Sequence, residues 1–264
     1  MIPKIIHYCW FGGKPLPEPV KKCIATWEKY CPDYQIIRWD ESNYNVFKNS
    51  YTKAAYENKK WAFLSDYVRL DVVYTSGGIY LDTDVELLRS PEELRQNTCF
   101  MGMEEVGTVN TGLGFGAEAG HPFLLRNMRA YEESDFVRED GGFRPEICVL
   151  ITTRLLGEDG LLCENQLQKI AGVTVYPVEV LCPQDHKTGK LTLTDRTVSI
   201  HHYAEGWHTG TERIYAAIRR KFAGKGKIGQ AFGRILSAPF SLLNTIRREG
   251  FRPAMRHYLK KLRR

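Results

Sequence analysis

Ala62-Phe-Leu-Ser-Asp66-Tyr-Val-Arg69-Leu-Asp-Val-Val-Tyr-Thr-Ser-Gly77-Gly78-Ile-Tyr-Leu-Asp82-Thr-Asp84 is the stretch on which the fold turns. Trp61 to about Thr75 reads as a helix that stops at Gly77-Gly78, a common C-terminal signal. Ile79 to Leu88 then reads as strand. Upstream, Lys4 to Trp10 reads as a buried strand ending at Gly12-Gly13. Pro17 and Pro19 open a helix to about Tyr30. Tyr34 to Trp39 is a second strand, and Asp40, Ser42 or Asn43 caps a helix to about Asn58. This β-α-β-α-α-β order predicts an α/β protein with a mostly parallel sheet covered by helices.

Downstream, Cys99 to Glu104 reads as a strand, and Gly107 to Gly120 holds five glycines that suit close backbone turns. His121-Pro122 opens a helix to about Glu133, and Glu146 to Leu155 reads as another. Val173 to Val178 and Thr192 to Ile200 read as strands. The 264 residues are 43% hydrophobic and 26% charged, an ordinary globular balance. The charge is uneven. From Arg219 to Arg264 there are 14 Lys/Arg and one acid, a net of +13, which leaves −7 on residues 1–218. The chain therefore divides into a globule, 1–218, and a basic helical tail, 219–264.

Seven cysteines, odd in number and without a Cys-x-x-Cys pair, fit a reducing cytoplasm better than a disulfide framework. No secretory signal and no 18-residue apolar run is visible.

Asp82 and Asp84, two apart at a strand end, point to one side and can face one divalent ion. Hard oxygen ligands suit Mg²⁺ or Mn²⁺ with a phosphorylated substrate. Asp-x-Asp alone is more often a surface pair. Here it interrupts an apolar run, and buried carboxylates need a compensating cation. Asp66 and Arg69, three apart, share a helix face, where a local salt bridge is the plain alternative. Glu104-Glu105 reads as a solvated pair, or lies near an acceptor by its place after a strand.

The quoted block resembles the sugar-binding Asp-x-Asp region of glycosyltransferase family 32. That family includes yeast initiating mannosyltransferases and bacterial polysaccharide and capsule enzymes, and is related to the clostridial glucosylating toxins. Ile2-Pro-Lys-Ile-Ile-His-Tyr-Cys-Trp10-Phe-Gly resembles its first strand, and Ile200-His201-His202-Tyr-Ala-Glu-Gly-Trp207 its closing His-x4-Trp element. Asn110 and Gly120-His121-Pro122 resemble its middle. The resemblance covers 1–207 and not the tail.

It implies a GT-A-type nucleotide-binding fold and a metal-dependent, retaining hexosyltransferase. The donor is a nucleotide sugar and the cofactor Mn²⁺ or Mg²⁺. The acceptor is a glycan or lipid-linked glycan of surface polysaccharide. By motif, Asp84 and His202 are the metal ligands, with His201 the alternative to His202, and Asp82 meets ribose or metal-bound water. Asp66 and Arg69 hold donor-sugar hydroxyls and the diphosphate side, and Asn110 approaches the donor sugar. Trp10 stacks on the base and Trp207 covers the diphosphate. Glu205-Gly206 departs from the small or hydroxylated residue that often precedes the closing Trp.

Two rival readings fit parts of the chain. Asp82-Thr-Asp84-Val fits a haloacid-dehalogenase-type phosphatase with Asp82 as nucleophile, but no Asp-Asp or Gly-Asp follows to complete its Mg²⁺ site. A basic nucleic-acid-binding protein fits the tail charge, but no such motif accompanies it, and no nucleic-acid partner is expected. In the tail, Ile228, Phe232, Ile235, Leu236, Leu242, Leu243 and Ile246 lie among basic residues. They suit an anionic membrane surface, which would place a cytoplasmic enzyme peripherally at the inner face of the plasma membrane. Packing of that helix on the globule is the alternative.

Overall fold

The computed structural model describes residues 1–134, 136, 147–185, 188–203, 210–223 and 226–249. The chain forms two compact units, one of residues 1–184 with 192–202, the other of 185–191 with 203–264.

The first unit opens with β1 (Ile5–Cys9), α1 (Glu18–Tyr30), β2 (Gln35–Trp39), α2 (Ser50–Glu57), α3 (Trp61–Ser76), β3 (Gly78–Tyr80) and β4 (Val85–Leu87). It continues with β5 (Cys99–Glu105), β6 (Thr108–Val109), β7 (Phe115–Ala117), α4 (Pro122–Glu132), α5 (Cys148–Glu158), β8 (Gln168–Ile170), β9 (Val173–Tyr176), α6 (Val178–Leu181) and β10 (Ser199–His201). The main sheet runs β2-β1-β3-β7-β5-β9-β8, with β6 on β5. Among the described residues β2, β1, β3, β5 and β9 point the same way, and β7 and β8 run against them. The α/β class with a mostly parallel sheet and flanking helices is thus as expected. The carboxyl ends of β1, β3 and β5 share one edge, where ligands of open α/β sheets bind.

The turn after α3 is built on close approach. Gly78 has φ +112°, and a Cβ there would lie 2.8 Å from His7 Nε2 and 2.9 Å from the Ile5 carbonyl oxygen. The buried His7 bridges this turn to β2, its Nε2 2.8 Å from the Gly77 carbonyl and its Nδ1 accepting from Trp39 Nε1 at 3.0 Å. Around α3 packs an apolar core that includes Tyr51, Tyr67, Val68, Leu70, Val73, Tyr131 and Leu155.

Three local expectations are corrected. The second helix starts at Ser50, not near residue 43. Asp40 accepts from the Ser42 N–H and hydroxyl, which bends the chain, and Asn49 is the true cap, accepting from the Thr52 N–H at 2.8 Å. Ile79–Leu88 is not one strand. β3 ends at Tyr80, and β4 joins β10 in a separate two-stranded sheet. Thr192–Ile200 is strand only from Ser199.

The second unit contains α7 (Gly210–Ala223) and α8 (Gly226–Glu249), so the division expected at 218/219 falls inside α7. Helix α8 runs through Pro239. Its Asn244 accepts from the Thr211 hydroxyl at 2.7 Å. No helix among the described residues is long and apolar enough to cross a membrane.

Candidate active site

Asp82 and Asp84 leave β3 in a turn, not on a continuing strand. The Val85 N–H donates back to the Asp82 carbonyl at 3.0 Å. This turn, rather than strand alternation, brings the two carboxylates together. Ligand atoms of Asp82, Asp84 and His201 all lie within 4.8 Å of one another. The His201 Nε2 stands 3.2 Å from Asp84 Oδ1. His202, the first choice from sequence, faces elsewhere: its Nε2 pairs with Glu86 Oε2 at 2.8 Å on the exposed side of β4. Neighbours along an extended segment point to opposite faces, so only one of the two histidines can meet Asp84. Strand pairing of His201 with Val85 decides that it is His201.

Behind the pair lies a buried ionic cluster. Arg69 Nη2 is 3.0 Å from Asp66 Oδ1 and 3.1 Å from Asp82 Oδ1. The Tyr80 hydroxyl donates to the same Asp82 oxygen at 2.9 Å, and the guanidinium lies 4.9 Å from the Tyr80 ring centre. Arg69 Nε also donates to the Ser65 carbonyl at 3.1 Å. Such a cluster survives burial only because each charge is paired and hydrogen-bonded.

Burial pushes the Asp66 carboxyl up to about 6, with Arg69 opposing. Burial likewise raises Asp82 against the pull of Arg69. Burial alone would lower the Arg69 and His201 pKa values. Asp82, Tyr80 and Asp66 outweigh it for Arg69, and Asp84 and Asp82 for His201, so both end raised. The site is a concentrated negative charge with one fixed guanidinium.

Asn110 forms the next wall. Its Oδ1 accepts from the Gly112 N–H at 2.6 Å and from the Cys148 thiol at 3.6 Å, and its Nδ2 donates to Glu104 at 3.2 Å. A Cβ on Gly112 would lie 2.4 Å from Asp82 Oδ2, so only glycine lets this backbone meet the carboxylate. Cys148, at the start of α5, lies beside Asp66 and draws its pKa down in part, where the helix end favours negative charge. Trp10 follows the end of β1, half-buried, its Nε1 donating to the Lys14 carbonyl at 2.6 Å. Trp207 lies outside the described residues. Sequence reasoning missed Cys148, Gly112 and Tyr80. Tyr80 was legible as two residues before Asp82, whereas nothing local marks Cys148.

Two carboxylates and an imidazole converging on one point fit a divalent cation such as Mn²⁺ or Mg²⁺. Residues 17–101 match the family described as "Glycosyltransferase sugar-binding region containing DXD motif". Inositol phosphoceramide mannosyltransferase 3 of Schizosaccharomyces pombe is 34% identical over 141 residues, 48% of this chain and 36% of that protein. Inositol phosphoceramide mannosyltransferase 1 of the same organism is 25% identical over 153 residues, 52% of this chain and 46% of that one. The match thus spans less than half the length of either relative. Among solved structures, PaToxG Glycosyltransferase aligns with TM-score 0.43 and 18% identity over 60% of this chain and 69% of its own. The galactosyltransferase LgtC, in complex with donor and acceptor sugar analogues, aligns with TM-score 0.43 and 12% identity over 84% and 95%.

Proposed function

We propose, for a chain whose residues 17–101 match a glycosyltransferase sugar-binding region containing a DXD motif, a metal-dependent, retaining glycosyltransferase of the GT-A type that uses a nucleotide-sugar donor. The observation that carries this reading is the meeting of Asp82, Asp84 and His201 beside the buried Arg69–Asp66 pair. Asp84, His201 and Asp82 would hold Mn²⁺ or Mg²⁺, which supplies positive charge for the departing diphosphate. His201 replaces His202 in this role.

Arg69 adds a fixed guanidinium on the diphosphate side of the sugar. Asp66 and Asn110 bind donor-sugar hydroxyls, and Trp10 and Trp207 flank the nucleotide. Retention follows from attack on the face that the phosphate leaves, with a phosphate oxygen taking the acceptor's proton. The phosphatase alternative fits less well, because Asp82 is pinned by Arg69 and Tyr80 on one oxygen and crowded by Gly112 on the other.

The acceptor we infer is a glycan or lipid-linked glycan of surface polysaccharide, a class to which the relatives' lipid-directed names lend support. The second unit supports a membrane-proximal enzyme. Along α8, Phe232, Ile235, Leu236, Pro239 and Leu243 are exposed, whereas Gly233, Ser237 and Asn244 are buried. An apolar stripe turned outward, in a segment of net charge +13, suits an anionic bilayer at the inner face of the plasma membrane.

A thermal-shift screen of nucleotide sugars with Mn²⁺ tests the enzymatic reading, since a ligand of the folded state raises the melting point. One donor should do so, and EDTA should abolish the shift. No shift with any donor in Mn²⁺ or Mg²⁺ would overturn the reading. Sedimentation with anionic liposomes should be salt-sensitive and lost in F232D/I235D. Equal binding by that variant would remove the membrane role.

A further inference from the structure

Glu104 lies at the same end of the sheet as the Asp-x-Asp turn, because β3 and β5 run in one direction and β5 continues past the level at which β3 stops and the chain turns through Asp82. It occupies an irregular step in β5. Met103 pairs with Val109 and Glu105 with the adjacent Thr108, so Glu104 is an extra residue without a partner in β6. Such bulges re-aim a side chain, and they recur beside active sites. Met103 before it is buried in the core, while Glu104 is half-buried.

The carboxylate is held on one side only. Asn110 Nδ2 donates to Glu104 Oε1 at 3.2 Å. The amide cannot be turned the other way, because its Oδ1 already accepts from the Gly112 N–H at 2.6 Å. Among the described residues Glu104 Oε2 accepts no hydrogen bond. A continuous wall therefore runs from Asp82 through Gly112 and Asn110 to Glu104, ending in an anchored carboxylate whose Oε2 accepts nothing from the described residues.

We propose that Glu104 binds the acceptor, its free Oε2 accepting a hydrogen bond from an acceptor-sugar hydroxyl. This rests on the glycosyltransferase reading. Attack on the face that the phosphate leaves requires the acceptor to sit between the metal-ligand side and the wall that holds the donor sugar. Glu104 is a half-buried carboxylate at the far end of that wall, hydrogen-bonded to Asn110. It takes no proton in the reaction, because the departing phosphate oxygen does so. Its work is to fix the acceptor's orientation.

E104Q isolates the role. Its amide oxygen still accepts from Asn110, but its free position now offers an N–H where the hydroxyl needs an acceptor. Full-length wild type and E104Q are compared by Mn²⁺-dependent nucleotide-sugar binding, by hydrolysis of the donor with water as acceptor, and by transfer to methyl α-mannopyranoside, methyl α-glucopyranoside and myo-inositol. Donor binding and hydrolysis should stay within twofold of wild type. The acceptor KM should rise about 10- to 100-fold, as for a lost hydrogen bond to a charged group. An unchanged acceptor KM in E104Q overturns the proposal while leaving the enzyme reading intact. So does weakened donor binding in E104Q, which would make Glu104 part of the donor wall. A wild-type protein that hydrolyses donor but glycosylates none of the three probes overturns it too, since an open carboxylate site should take simple polyols. A wild-type protein that binds no nucleotide sugar removes the enzyme reading, and this inference with it.

Discussion

Helices α3 and α8 invert each other. Helix α3 carries Asp66, Arg69 and Asp71 inward, at 7%, 3% and 4% exposure, in the middle of an apolar core. Helix α8 buries Gly233, Ser237 and Asn244 and leaves Ile235 69% and Phe232 53% exposed. Asp71 has a structural account, since Lys48 and Tyr44 meet its carboxylate at 2.7 Å. Asp66 and Arg69 instead lead to the Asp-x-Asp turn. Burying charge and exposing apolar surface both cost stability, and each marks a place where a ligand or surface completes the chemistry. The partner we propose for α3 is small and charged, and the one we propose for α8 is broad and apolar.

The largest expected effect tests the charged half. Asp84→Ala should lower transfer at least about 1000-fold, as for lost electrostatic stabilisation of a leaving group, with the melting temperature nearly unchanged. Retention of most turnover in saturating Mn²⁺ would leave α3 and its turn a purely structural ion cluster. Arg69→Met should destabilise by roughly 3–5 kcal/mol, because Asp66 and Asp82 lose their buried partner. Urea unfolding checks this, and a change below 1 kcal/mol would mean that the cluster is solvated. Arg69→Lys should restore much of the stability but not turnover, since a point charge cannot reproduce the planar fork.

The two histidines give the next contrast. His201→Ala should weaken Mn²⁺ binding on the order of 100-fold, in line with loss of an oriented metal-site group, and His202→Ala should change it little. The reverse order in a Mn²⁺ titration would return the ligand role to His202.

A smaller effect follows from pH. Burial lowers the pKa of His7 and of His121, with the Gly77 and Gly172 carbonyls opposing in part. A lowered folded-state pKa means that the unfolded chain binds protons first. The stability due to neutral histidine is complete above about pH 6.5 and is lost as pH falls, by up to about 1.4 kcal/mol per unit for each group. The raised pKa values of Asp66, Asp82 and His201 act the other way in the same window, so His7 is read as a difference: from pH 7 to pH 5 the melting temperature of wild type should fall relative to that of His7→Gln. An unchanged difference would show that His7 is not the group that titrates.

The smallest effect belongs to α8. Ile235→Ser should shift stability by no more than about 0.5 kcal/mol, as at an open surface site. A loss above 2 kcal/mol would show that the stripe is a packed core face, and the inversion between the two helices would disappear.

Local chemistry made much of this legible in sequence. Helix α3 and its stop at Gly77 followed from apolar spacing and glycine punctuation, and the order of strands and helices gave the α/β class. The Asp-x-Asp pair and the Asp66–Arg69 pair were visible because each lies within a few residues. Other features depended on distant partners. The choice of His201 over His202 was set by the register of β10 on β4, which joins residues more than 100 apart. Cys148 reaches Asp66 and Asn110 only through the fold, and Gly112 became necessary only because Asp82 arrives against it. Asp40, Ser42 and Asn43 were the caps read from sequence, and Asn49 took that place through its reciprocal bonds with Thr52. Sequence alone determined which side chains repeat along a helix or strand, since that periodicity is local. Tertiary structure decided which of them meet, because a hydrogen bond or a metal site depends on ångström distances that chain spacing does not encode.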